Sequence, residues 1–134
     1  MQIKFNHIQF TQIEYKANTY DKSITNELET SLGIKSMFSD EKKNDFAISF
    51  DLLLKNKSKE FKLKLTAIAH FSTSDEIDSD FRQSPFIEVN APAIAFPYVR
   101  TFISNLTLNS GYDPIVLPAF NFVQLAEAKA KRLS

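Results

Sequence analysis

Phe46-Ala47-Ile48-Ser49-Phe50-Asp51-Leu52-Leu53-Leu54, then the polar run Asn56-Lys57-Ser58-Lys59, then Phe61-Lys62-Leu63-Lys64-Leu65-Thr66-Ala67-Ile68-Ala69-His70-Phe71, is the stretch on which the fold turns. Apolar side chains recur at every second position in both halves, and successive side chains of an extended chain point to opposite faces. Each half is therefore a strand with one buried face. The polar run between them has the length and chemistry of a hairpin connection, so the two strands pair antiparallel.

Toward the N-terminus, Leu28, Thr30, Leu32, Ile34, Ser36 and Phe38 alternate more weakly and end in the polar loop Ser39–Asn44, which gives a third strand. Before it the apolar pairs are Ile3 with Phe5, Ile8 with Phe10, and Ile13 with Tyr15, so the register slips by one residue twice. That spacing fits neither one helix face nor one flat strand. A long strand with bulges, or one that changes face, produces it, because each extra residue moves the apolar set to the other side.

Toward the C-terminus, the acidic stretch Ser72–Ser84 reads as a long exposed loop. Its Asp75, Asp78 and Asp80 lack the central Gly and terminal Glu of a calcium loop, so no metal site is expected. The apolar segment Pro85–Val99 is interrupted by Pro92 and Pro97 and has no clean period, so Phe86, Ile87, Val89, Ile94 and Phe96 suit a groove or a subunit contact as well as a core. Pro97 fits a first helical position, Tyr98, Val99, Phe102, Ile103 and Leu106 form one helical stripe, and Gly111 with Pro114 ends it. This places a helix over Pro97–Asn109. Asn121 caps a second helix with Gln124 in the reciprocal position, Phe120 and Leu125 make a hydrophobic staple, and Lys129, Lys131 and Arg132 complement its negative end.

Strands followed by helices spell an α+β fold, and 134 residues fit one domain spanning 1–134. With 43% hydrophobic residues and thirteen Phe the chain is too apolar for disorder. The absence of Cys excludes disulfides, zinc–thiolate sites and a thiol nucleophile. Sixteen basic against sixteen acidic residues disfavours nucleic-acid binding, and Lys55–Lys64 alternates as a solvated sheet face. Zero net charge on so apolar a chain gives weak colloidal protection, so self-association is expected to cover part of the surface. No run approaches the roughly 18 apolar residues of a membrane span and no signal pattern opens the chain, so a cytoplasmic protein without membrane insertion is expected. His7 and His70 read as structural or surface residues. No phosphate loop, nucleophile elbow or paired histidine motif is present, so neither enzyme nor cofactor is expected.

Phe96-Pro97-Tyr98-Val99-Arg100, then Gly111-Tyr112-Asp113-Pro114-Ile115-Val116-Leu117-Pro118-Ala119-Phe120-Asn121-Phe122, resembles the SecB family of protein-export chaperones, whose F-P-Y-x-R helix start and N-F helix opening stand at this separation. The resemblance covers roughly residues 94–125. It implies a four-stranded antiparallel sheet followed by two C-terminal helices packed on one side, and a homotetramer built as a dimer of dimers. It also implies ATP-independent holding of unfolded or precursor polypeptides, with the translocase motor SecA as a partner; the alternative is a dedicated chaperone or scaffold for a single partner such as an antitoxin. By position, Leu32, Ile34, Phe81, Phe86, Phe120 and Phe122 resemble lining of a client groove. Leu63, Leu65, Phe102, Ile103 and Leu106 resemble contact surface between subunits. The family's motor docks on an acidic sheet face, whereas this chain places Lys62 and Lys64 on one strand face.

Overall fold

The computed structural model describes the backbone of residues 1–133 and the side chains of residues 1–131, so the side chain of Arg132 lies outside the described residues. Four strands, β1 (Ile3–Ala17), β2 (Glu29–Phe38), β3 (Asp45–Lys55) and β4 (Phe61–Thr73), form one antiparallel sheet in the order β1-β4-β3-β2. The hairpin is β3–β4, with Phe46 opposite Phe71 and Leu54 opposite Leu63. Asn56 holds its turn. The Asn56 side-chain oxygen accepts the Phe61 N–H at 2.9 Å while its amide donates to Ser58 Oγ at 2.9 Å, and Lys59 takes the left-handed conformation at φ 60°.

β1 pairs with β4 along its whole length, with breaks in register between Phe5 and His7 and between Phe10 and Gln12. Asn6 and Thr11 are the bulged residues. They sit at the two slips of the apolar pattern, so the bulges keep Phe5, Ile8, Phe10, Ile13 and Tyr15 on one face, opposite Phe71, Ala69, Ala67, Leu65 and Leu63.

That inner face is the core. Phe46, Ile48, Phe50, Leu52 and Leu54 of β3 and Phe61, Leu63, Leu65, Ala67, Ala69 and Phe71 of β4 are all buried, while the inner residues of the two outside strands are mostly half-buried. Helix packing supplies the other wall. The stretch expected as loop instead ends β4 at Thr73 and forms one turn, α1 (Ser79–Arg82), whose Phe81 N–H donates to Asp78 Oδ1 at 2.8 Å.

A π turn over Phe86–Asn90 then leads into α2 (Ala91–Asn109), which starts six residues ahead of the expected Pro97. Pro92 takes the first-turn position, and Pro97 lies inside the helix on its exposed side, one turn after exposed Ala93, whose carbonyl it leaves without its helical donor. The buried stripe Ala91, Ala95, Val99, Ile103 and Thr107 runs at four-residue spacing. Two alanines begin it, so a count of large apolar residues does not show where the helix starts. α3 (Phe122–Leu133) opens where Asn121 Oδ1 accepts the Gln124 N–H at 3.1 Å.

The connection from α2 to α3 is tied down by Thr107, which is fully buried. Its hydroxyl donates to the Ile103 carbonyl at 2.9 Å and accepts the Ile115 N–H at 3.0 Å, while Ser104 Oγ donates to the Ile115 carbonyl at 2.6 Å. Thr107→Val keeps the shape and strands the Ile115 donor. We expect a loss of about 1–3 kcal/mol of folding stability in urea denaturation; an unchanged midpoint would show that the connection is not held here.

Candidate client groove

β2 is an outside strand, so the edge away from β3 has no partner in the sheet. Leu32, Ile34 and Ser36 pair with Leu52, Phe50 and Ile48, which places them on the core side of the sheet. They are only half-buried. Facing them stand Ile87 and Glu88 of the π turn and Leu125, Ala126 and Lys129 of α3. Between these walls lies an open concavity of about 290 Å³ with Ile48 also in its lining. Its sides are apolar, with Glu88 and Lys129 as the charged members. Such a trough, beside an unpaired strand edge, presents hydrophobic surface and main-chain hydrogen-bonding groups together.

Of the residues expected to line a groove, Leu32 and Ile34 border this concavity. Phe81 and Phe86 stack on each other at 5.9 Å, and Phe81 also meets Phe46 edge-on at 5.9 Å. Beside them the Arg82 guanidinium lies 4.8 Å over the Phe38 ring. Phe120 and Phe122 pack edge-on against buried Phe96 at 5.1 and 5.8 Å. These four rings are half-buried on the core and stand outside the lining of the concavity. Leu125, 37% exposed, was legible only as half of a staple, and its place in the wall follows from α3 standing across the concavity from β2.

The residues expected at a subunit contact are corrected by their burial. Leu63, Leu65 and Ile103 are at most 1% exposed inside this one chain, because β4 and the inner stripe of α2 face each other, so their side chains are not offered to a second copy. Phe102 stacks on Phe10 of β1 at 4.0 Å, and Leu106 packs half-buried on the core. The large exposed apolar residues of α2 are instead Ile94, Tyr98 and Leu108. Among the described residues no group of three or more His, Cys, Asp or Glu stands together, and no helix is long and apolar enough to cross a membrane.

The chain has no Trp, so Ile34→Trp installs a single reporter in the trough. Its emission is expected to move to shorter wavelength when an extended apolar peptide is added and to stay put with a polar peptide of equal length. Emission insensitive to both would show that the trough is not entered.

A family model described as preprotein translocase subunit SecB matches residues 6–132. The protein-export protein SecB of Neorickettsia sennetsu is 26% identical over 108 residues, covering 73% of this chain and 65% of its own length. An uncharacterized protein of Methanocaldococcus jannaschii is 35% identical over 111 residues, 83% of this chain and 58% of its own length. Protein-export protein SecB 1 of Gluconobacter oxydans matches at 42% over 45 residues, 34% of this chain and 26% of its own length. The chain thus spans 58% of the archaeal relative and 26% of the Gluconobacter one. Among solved structures, the SecB-like chaperone of Mycobacterium tuberculosis in complex with a ChAD peptide from an antitoxin superposes with a TM-score of 0.69 at 11% identity, over 88% of this chain and 87% of that one.

Proposed function

This chain belongs to the SecB family of non-enzymatic chaperones, and on that premise we propose that it is an ATP-independent holdase of the cytoplasm that keeps unfolded or precursor polypeptides in an extended state for export. The observation that supports this reading most is the apolar trough of Leu32, Ile34, Ile87 and Leu125 beside the free edge of β2. A client strand laid there would bury alternate side chains against these walls. Each leucine-sized side chain so buried is worth about 1.5–3 kcal/mol, enough for capture and weak enough for release without nucleotide. Unfolded clients share little except apolar side chains and backbone, and those are the groups the trough engages.

The proposed assembly is a homotetramer. Ile94, Tyr98 and Leu108 lie exposed along one side of α2, and several troughs joined in one particle would raise the hold on a long client through avidity. A narrower client range has its own support: the structural neighbour was solved with an antitoxin peptide, so a single dedicated client is the second reading. Export through the motor SecA is the least supported part. Lys16, Lys62 and Lys55 stand in one cross-strand row on the outer sheet face, opposite in sign to the acidic face that motor docking implies.

The holdase is tested by aggregation of several unrelated unfolded proteins without nucleotide. Near-stoichiometric protein should suppress it, and the double variant Leu32→Asp, Ile34→Asp should need at least about tenfold more protein, since a charge would have to be buried with the client. Protection of one candidate client alone would select the dedicated reading, and protection of none would overturn both. For the assembly, light scattering should give four copies, and Tyr98→Glu should give smaller species; a parent protein that is monomeric at micromolar concentration would contradict the tetramer.

A further inference from the structure

His7 of β1 and His70 of β4 face each other directly across the strand pair, and their rings stack at 4.5 Å between centroids with 14° between planes. The bulge at Asn6 sets this register, putting both imidazoles on the face of the sheet away from the helices. His70 Nε2 lies 2.9 Å from Gln9 Oε1. A carbonyl oxygen there accepts the Nε2–H, which leaves Nδ1 as a free lone pair. Histidines that bind metals are oriented in this way, with the second ring nitrogen donating to a carbonyl or carboxylate. His7 is exposed, so its ring has room to turn.

The pair borders a hollow of about 410 Å³ that Asn6, Lys42 and Asp45 also line. Asp45 supplies the negative charge and Lys42 the positive one. Burial and the neighbouring His7 ring both favour the neutral form of His70, with Asp45 acting in the opposite sense.

We propose that His7 and His70 form a two-nitrogen chelate for a divalent transition-metal ion of the imidazole-preferring class, such as zinc, nickel or copper, which clips the outside strand β1 to β4 at its bulge. The ring nitrogens must converge on one ion at about 2.0–2.1 Å, so binding requires the exposed His7 ring to rotate out of the stack and bring a nitrogen toward His70 Nδ1. With two protein ligands the remaining positions belong to water, so the site is open and exchangeable, unlike a four-ligand structural zinc site. An ion bound only by the folded pair raises folding stability by mass action.

Neither ring takes part in the trough, so the inference is independent of the holdase reading. The test uses tag-free protein titrated with zinc chloride, with magnesium chloride as control, followed by imidazole NMR signals, calorimetry and thermal unfolding. One ion per chain is expected to shift the His7 and His70 signals together and raise the melting temperature, with no response to magnesium. His7→Gln, at an exposed position, should retain the fold by circular dichroism and lose at least tenfold in zinc affinity. Unmoved imidazole signals, zinc affinity unchanged in His7→Gln, or half an ion per chain with an increase in mass would each overturn a chelate within one chain.

Discussion

A single helix is too narrow to cover a four-stranded sheet, and the rest of this structure follows from that mismatch. Strands lie about 4.8 Å apart, so four of them span roughly 15 Å, while a helix with its side chains measures about 10–12 Å. The long helix α2 packs its buried stripe into one core with the inner residues of β3 and β4, which are all buried. The outside strands are left half-covered. β1 compensates with aromatic contacts to α2, Phe5 with Tyr98 at 4.9 Å and Phe10 with Phe102 at 4.0 Å. β2 has no equivalent partner in α2, and α3 meets it across a gap. That gap is the trough.

The central pair was legible because both its strands obey a strict period of two, which only a half-buried sheet imposes. The bulges of β1 were legible for the same reason: a pattern that slips by one residue still has to present one apolar face. The start of α2 was not. Ala91 and Ala95 carry the buried stripe there, and small residues against a sheet give a weak signal although they allow close approach. Pro97 then reads as a beginning when it is an interior residue on the solvent side.

The candidate site divides along a similar line. The place of Leu32 and Ile34 on the inner sheet face could be read because it follows from strand alternation. The sorting of the phenylalanines could not, since Phe81, Phe86, Phe120 and Phe122 have the same composition as groove walls yet pack on Phe46, on each other or on Phe96. Leu63, Leu65 and Ile103 show the converse error. A stripe suited to an interface is equally suited to a core, and only the burial of these side chains within the folded chain decides which. The facing histidines were invisible for a topological reason, since β1 and β4 are the first and last strands of the chain and become neighbours only in the folded sheet.

The account rests on β2 accepting an extended chain along its free edge. Hydrogen–deuterium exchange of the backbone amides of Glu29–Phe38, with and without a saturating unfolded client, measures this most directly. The prediction is that the edge amides facing away from β3 exchange quickly alone and become protected when the client is present, together with those around Ile87 and Leu125. Protection confined to α2 or to the outer sheet face, with β2 unchanged, would contradict it.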